Sequence, residues 1–283
     1  MPTLPYHVVD VFTDRPYAGN PLAVVLGADD LPTESLQAIA REFNLSETTF
    51  PMESDRADYK VRIFTAASEL PFAGHPSIGT AWLLAKLGRI PTGPVRQECA
   101  AGVLPVEVTA AGATLTGGTA TVGEPLDPEP LLAAVGLAAG SLSGLAPVRT
   151  AGTGLEWTYL PVSDEAVGQV TPDWVAIRRA VSSMGIAVFS WADGVAHLRG
   201  ITDEGFEDPA TGSAALGFGV WLATSGLVPD GTTEYRIQQG AEIGRPSTLY
   251  GSVTAAGGTA TTVTVRGGVA PVATGEITPP PLG

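Results

Sequence analysis

Short apolar runs, separated by turns rich in glycine and proline, alternate with polar positions along most of the chain. Runs of this length that contain β-branched and aromatic residues are typical of β-strands. The predicted strands are His7–Phe12, Leu22–Leu26, Thr48–Met52, Lys60–Thr65, Val95–Cys99, Gly102–Thr109, Pro147–Ala151, Glu156–Val162, Ile186–Trp191, Val195–Ile201, Glu234–Gln239, Thr248–Thr254 and Thr261–Arg266. The pattern therefore predicts many strands in both halves of the chain.

Helical periodicity interrupts the strands at a few places. Apolar residues at i, i+3, i+4 and i+7, beginning with Leu36, predict a helix over Thr33–Phe43. A second helix is predicted over Pro76–Lys86, because proline suits a first helical turn. A third is predicted to begin at Thr171, with that side chain as the cap and Pro172 in the first position.

One segment of the sequence recurs 138 positions further along the chain. Segment 69–88 aligns without a gap on segment 207–226, with seven identities in 20 positions that include Gly74 on Gly212. Both copies follow a strand, open with a turn of small residues and enter an apolar helix that a glycine ends. Because a helix that is apolar on every side is buried all round, we expect two similar domains, each a sheet wrapped around one central helix.

The predicted boundary between the domains lies at a stretch rich in glycine and proline that begins at Gly117. We expect an N-terminal domain over residues 1–116 and a C-terminal domain over residues 117–267. Residues 268–283 are expected to return to the N-terminal domain. The predicted fold class is α+β, with two pseudo-symmetric domains of mixed β-sheet.

Charge and composition narrow the possible partners. Lys and Arg total 15 against 29 Asp and Glu, so the net charge of −14 disfavours a nucleic acid or an anionic membrane. No apolar run approaches the ~20 residues that span a bilayer, and the first residues lack the basic and apolar regions of a signal peptide. We expect a cytoplasmic protein that binds a small molecule.

The starts of the two repeated helices are candidate anion sites. A helix N-terminus offers unpaired N–H groups and roughly half a positive charge. Gly74 and Gly212 leave the backbone bare at these turns, so a carboxylate can approach both. Small capping residues alone would explain either turn, but their duplication in register favours a carboxylate-bearing ligand. Ser213 is the polar counterpart of His75 in this repeat.

Three titratable side chains are candidates for proton transfer. Glu47 lies between a helix and a strand among apolar residues, where desolvation would raise its pKa toward that of a general base. His75 stands at the first helix start and has the pKa range of a proton shuttle. Asp208 precedes the second helix start as a second carrier or orienting group. A loop acid, a structural histidine and a cap are the respective alternatives.

Two turns could contribute further polar groups. Asn20 stands in a Gly-Asn-Pro turn, which either supplies an amide that orients the substrate or is an ordinary turn. Gln239 and the following loop through Arg245 either close the site or form a simple hairpin.

Five segments carry a specific resemblance. They are DVFTDRPYAGNPLAVVL (10–26), NLSETTF (44–50), RIFTAASELPFAGHPSIGTA (62–81), GFEDPATGSAA (205–215) and QQGAEIGRPS (238–247). In this order they resemble the PhzF-like family of phenazine biosynthesis, which has the diaminopimelate epimerase-like fold. The resemblance covers most of the chain, from about residue 10 to residue 250.

The resemblance implies a homodimer of two-domain chains, with the active site between the domains and neither a metal nor an organic cofactor. It also implies an isomerase similar to trans-2,3-dihydro-3-hydroxyanthranilate isomerase, in which Glu47 acts as base and acid. The groups implied to line the site are the side chains of His75, Asp208 and Ser213 and the backbone amides of Gly74 and Gly212.

Two other functions use the same residues. One is a non-catalytic small-molecule binding protein on the same scaffold, and the other is a metal-dependent hydrolase with Glu47, His75 and Asp208 as ligands. Three proton-active groups together favour the isomerase. The two-cysteine racemase mechanism of the epimerase relatives is excluded, because the corresponding positions are Ala73 and Thr211.

Overall fold

The computed structural model describes residues 3–281, and the chain forms two compact units. Unit 1 comprises Met1–Leu115 and Arg266–Gly283, and unit 2 comprises Thr116–Val265. Residues 1, 2, 282 and 283, which the predicted N-terminal domain includes, lie outside the described residues. Both units combine a mixed sheet with helices, as expected for the α+β class.

Unit 1 contains two helices and a sheet in which parallel and antiparallel pairs alternate. Its elements are β1 (Leu4–Val11), β2 (Asn20–Val25), α1 (Thr33–Phe43), β3 (Glu47–Met52), β4 (Tyr59–Phe64), β5 (Glu69–Leu70), α2 (Gly74–Lys86), β6 (Gly93–Cys99), β7 (Gly102–Val108) and β8 (Gly112–Thr116). The helix α1 buries Leu36 and Ile39 against Phe50 and Phe64 of the sheet. The apolar stripe read from the sequence therefore faces a core, and the bounds predicted for this helix are confirmed.

Unit 2 contains four helices, and its strands also pair in both parallel and antiparallel senses. Its elements are β9 (Thr121–Val122), α3 (Pro128–Ala134), β10 (Arg149–Gly152), β11 (Glu156–Pro161), α4 (Asp164–Gln169), α5 (Trp174–Ala180), β12 (Gly185–Ala192), β13 (Val195–Thr202), β14 (Glu207–Asp208), α6 (Gly212–Thr224), β15 (Gly231–Gln239) and β16 (Ser247–Ala256), with a 3-10 turn at Ala139–Ser141. The last strand, β17 (Thr259–Ile277), begins in unit 2 and ends in unit 1, where it pairs antiparallel with β1.

The order of strand pairing is the same in the two units. In unit 1, β1–β2 is antiparallel, β2–β3 parallel, β3–β4 antiparallel, β4–β6 parallel and β6–β7 antiparallel. In unit 2, β10–β11, β11–β12, β12–β13, β13–β15 and β15–β16 follow the same sequence of senses. The repeated sequence segments therefore belong to a larger topology that occurs in both units.

The helices α2 and α6 occupy equivalent positions in this topology, and each has 13 residues. Gly79 lets α2 approach the first two strands of its unit, because a Cβ there would lie 2.7 Å from Leu22 and 2.8 Å from Val11. Gly217 does the same for α6, where a Cβ would overlap the Tyr159 hydroxyl and lie 2.8 Å from the Ala151 carbonyl. These paired glycines serve close packing between helix and sheet.

Several predicted boundaries were wrong; for example, β1 begins at Leu4 rather than His7 and β15 at Gly231 rather than Glu234. The helix α2 begins at Gly74 rather than Pro76, and α5 begins at Trp174 because Asp173, not Thr171, accepts the first-turn N–H groups. The strand predicted over Thr261–Arg266 continues to Ile277 as part of β17.

Candidate active site

In unit 1 the fold gathers four of the predicted residues, Asn20, Glu47, Gly74 and His75, which we call the Glu47 cluster. Asn20 begins β2 and Glu47 begins β3, and these parallel strands pair with Leu22 opposite Glu47. Gly74 and His75 form the start of α2, which packs on both strands. The cluster therefore lies where two strand starts meet a helix start.

The imidazole of His75 links the other two side chains of the cluster. Its Nδ1 lies 3.2 Å from Nδ2 of Asn20, and its Nε2 lies 3.3 Å from Oε2 of Glu47. The ring therefore lies between the carboxamide of Asn20 and the carboxylate of Glu47. The side chain of His75 is 5% exposed and that of Glu47 is 16% exposed, so the carboxylate faces solvent more than the ring does.

Burial makes His75 a neutral ring. Loss of solvation lowers the pKa of His75 to about 3, and a hydrogen bond with the backbone of Pro21 opposes only part of that effect. At neutral pH the approach of Nε2 to Glu47 is therefore not an ion pair. The ring therefore contacts the carboxylate without carrying charge.

The loop before Asn20 is held by a buried carboxylate. Asp10 in β1 is 2% exposed, and its Oδ2 accepts a hydrogen bond of 2.7 Å from the backbone N–H of Tyr17. Tyr17 adopts a left-handed conformation with φ of 64°, which is uncommon for a residue other than glycine. Asp10 thus fixes the path by which the chain reaches Asn20.

In unit 2 the fold gathers Asp208, Thr211, Gly212, Ser213 and Gln239, which we call the Asp208 cluster. The hydroxyl of Thr211 donates to Oδ2 of Asp208 at 2.7 Å, so it holds the carboxylate rather than capping α6. The amide of Gln239 accepts from the Thr211 N–H at 3.1 Å and donates to the Asp208 carbonyl at 2.8 Å. Gln239, at 2% exposed, therefore fixes the turn that leads into the helix.

Ser213, the second residue of α6, has a partner that the sequence analysis missed. The indole Nε1 of Trp157 in β11 donates to Oγ of Ser213 at 3.0 Å. The repeated topology could have indicated this partner, because Asn20 near the start of β2 and Trp157 near the start of β11 occupy equivalent strands. Gln239 was recognised as a candidate without a role, and its hydrogen bonds now give it one.

Both helix starts leave first-turn N–H groups for a ligand. Neither Ala73 before α2 nor Thr211 before α6 makes a side-chain capping hydrogen bond in the described chain. A helix of 13 residues carries a partial positive charge at this end. The amides at Gly74 and Gly212 are therefore suited to an anionic group such as a carboxylate.

Residues 3–281 contain neither a candidate metal site nor a candidate membrane-spanning helix. No group of three or more His, Cys, Asp and Glu side chains there is arranged to hold a metal ion. None of the described helices combines the length and the hydropathy needed to cross a bilayer.

Arg245, in the loop after β15, donates its backbone N–H to the Gly240 carbonyl at 2.8 Å, which shapes a tight loop next to Gln239.

Comparison with known proteins gives a consistent result. The family model PhzC-PhzF, described as phenazine biosynthesis-like protein, matches residues 9–275. An uncharacterized isomerase of Mesorhizobium japonicum is 36% identical, with 98% of this chain and 99% of that protein covered. Trans-2,3-dihydro-3-hydroxyanthranilate isomerase of Pseudomonas aeruginosa is 33% identical, with 96% and 98% covered.

A solved structure also matches over nearly the whole length. The crystal structure of a PhzF-family phenazine biosynthesis protein from Bacillus anthracis superposes with a TM-score of 0.90 at 25% identity. The match covers 98% of this chain and 100% of that chain.

Proposed function

This chain belongs to the PhzC-PhzF family of phenazine biosynthesis-like proteins, and from that premise we propose that it shifts a proton on a small carboxylate-bearing, possibly cyclic, metabolite without a cofactor. It is an enzyme of the isomerase class, as its named relatives are. The observation that carries the proposal is the contact between the partly exposed carboxylate of Glu47 and the neutral ring of His75 at 3.3 Å.

Glu47 is proposed as the group that takes the proton from one carbon and returns it to another. A base must be ionised and within reach of a substrate, and the 16% exposure of its side chain provides access. The adjacent imidazole is neutral, so it does not add the full positive charge that would make the carboxylate a weaker base. Glu47 takes the proton from one substrate carbon and becomes neutral, and it becomes ionised again when it returns the proton to another carbon.

The remaining residues of the two clusters are proposed to hold the substrate. The first-turn amides at Gly74 and at Gly212, each within its own unit, are proposed as carboxylate-binding groups, and the Asp208 side chain as a group that binds a polar substituent or relays a proton. Asn20 acts through His75, because its amide contacts the ring at 3.2 Å and is fully buried.

Solvent exchange tests the reaction. Trans-2,3-dihydro-3-hydroxyanthranilate, the substrate named for a relative, is the first probe, incubated in D2O with the wild type, Glu47→Gln and Glu53→Gln. The wild type should yield an isomerised product that carries solvent deuterium. Glu47→Gln should lower kcat about 100-fold or more, whereas Glu53→Gln, which removes an exposed carboxylate from the residue after β3, should leave kcat unchanged.

Two results would overturn the proposal. Full activity of Glu47→Gln would remove its assigned base. Saturable binding of the probe to the wild type, seen as a raised melting temperature with no deuterium exchange, would support the non-catalytic binding protein instead. A homodimer in the cytoplasm stays a prediction, and light scattering would test the dimer as twice the 28.9 kDa chain mass.

A further inference from the structure

Trp157 occupies in unit 2 the position that Asn20 occupies in unit 1. Asn20 pairs with Val11 in β1–β2 and Trp157 pairs with Ala151 in the equivalent pair β10–β11, and each contacts the second residue of the central helix of its unit. Asn20 Nδ2 lies 3.2 Å from Nδ1 of His75, and Trp157 Nε1 lies 3.0 Å from Oγ of Ser213. We propose that Trp157 is a positioning residue that fixes the Ser213 hydroxyl as a hydrogen-bond donor to the substrate carboxylate. This inference rests on the proposed function.

The direction of the hydrogen bond carries the argument. An indole N–H only donates, whereas a hydroxyl has one donor and two acceptor sites. Trp157 must therefore donate to Ser213, and the hydroxyl keeps its own proton. Among residues 3–281 this is the one hydrogen bond of the Ser213 side chain, so its proton has no acceptor within that part of the protein.

A serine in the other central helix shows the usual alternative. Ser77, in the first turn of α2, donates its hydroxyl proton to the Ala73 carbonyl at 2.8 Å. Ser213 makes no such bond to its own helix in the described chain, and it is partly exposed where Ser77 is buried. The hydroxyl of Ser213 therefore presents a proton beside the first-turn amides of α6, and accepting a hydrogen bond strengthens it as a donor.

Burial makes Trp157 a rigid support. Trp157 is 2% exposed, and in the sheet it pairs with Ala151 of β10. The indole cannot turn toward water to satisfy its N–H, so the contact with Ser213 fixes both groups. A carboxylate that binds the first turn of α6 then meets a donor of set direction as well as the backbone amides.

The test compares Trp157→Phe with Trp221→Phe. Trp221 is a matched control, because it is buried in α6 and its indole donates to the Pro147 carbonyl at 3.3 Å, without a contact to Ser213. With the probe substrate, Trp157→Phe should raise KM roughly 3- to 10-fold and leave kcat within about 2-fold. Trp221→Phe should lower the melting temperature and leave KM unchanged.

A double variant separates positioning from general loss of packing. Ser213→Ala should raise KM at least as much as Trp157→Phe, and the double variant should be no worse than Ser213→Ala alone, because both changes remove one interaction. An unchanged KM in Trp157→Phe, or an equal rise in Trp221→Phe, would overturn the inference. So would independent effects that add in full in the double variant.

An NMR measurement makes the inference independent of turnover. In protein labelled with ¹⁵N at the indoles, the Trp157 signal is assigned by its loss in Trp157→Phe. Benzoate should move this signal in the wild type but not in Ser213→Ala, and the uncharged benzamide should move it in neither. If Glu47→Gln proves fully active while benzoate still moves the signal, the proposed reaction fails and the anion contact stands. If Glu47→Gln is inactive and benzoate leaves the signal in place, the reaction stands and this inference fails.

Discussion

The buried ring of His75 makes the stability of the protein depend on pH in a way that can be calculated. Burial lowers its pKa to about 3, whereas the unfolded chain takes up the same proton near pH 6.5. Because the folded-state pKa is the lower one, the unfolded state binds more protons below pH 6.5, and stability falls as the pH drops toward 3. The slope is about 1.4 kcal/mol per pH unit, and the loss from pH 8 to pH 5 is about 2 kcal/mol.

The substitution His75→Asn tests this calculation. Asparagine removes the titration and can still offer an oxygen to Nδ2 of Asn20, which lies 3.2 Å from the ring. The free energy of unfolding is measured in urea at several pH values from 8 to 5 for both proteins. The wild type minus variant difference should be flat above pH 7 and fall by about 2 kcal/mol at pH 5, since the other titrating groups largely cancel. A difference that stays constant over the whole range would mean that the ring is solvated, and would refute the reasoning.

Three further substitutions test the helix packing, an ion pair and a helix cap of unit 2. Gly217→Ala should destabilise the protein by about 1–3 kcal/mol in thermal denaturation, because the added Cβ would overlap Tyr159 of β11 and Ala151 of β10. Gly168→Ala, whose added Cβ would have nothing within 4 Å, should be neutral or stabilising. Arg199→Leu should destabilise by about 3–5 kcal/mol, since it strands the buried carboxylate of Glu207, which its guanidinium contacts at 2.7 and 2.9 Å; the double variant with Glu207→Leu should recover much of the loss in urea denaturation. Asp173→Ala should destabilise by about 1 kcal/mol, because the carboxylate accepts two first-turn N–H groups of α5.

The elements that the sequence predicted well are those whose signals are local. The helix Thr33–Phe43 has one apolar stripe and a core to face, so periodicity located both of its ends. The predicted strand Thr261–Arg266 ended just before Gly267 and Gly268, whereas β17 continues through both glycines. In unit 1 those glycines instead allow close approach, since a Cβ at Gly267 would overlap the Phe12 ring and one at Gly268 would lie 2.7 Å from the Thr13 carbonyl.

The candidate site was predictable as a set of residue types and not as a set of contacts. Glu47 and His75 are 28 positions apart, and only the parallel register of β2 and β3 together with the start of α2 brings them to 3.3 Å. The depressed pKa of His75 follows from burial first, which the position of the residue in the sequence does not show. The partner of Ser213 was missed because Trp157 carries no recognisable motif and reaches the helix from a strand 56 positions earlier.

Unit 1 is built from two segments that are far apart in the sequence, which affects the order in which the units can fold during synthesis. Strand β1 pairs with β2 on one side and with Val269–Ile277 on the other. The nascent β1, which contains the apolar residues Val9 and Val11, therefore has an unpaired edge until residues 269–277 are translated. At 5–20 residues per second that wait lasts roughly 10–50 s. Unit 2, whose strands are all encoded earlier, can form during this interval, and loss of the final strand would harm the first-made unit rather than the second.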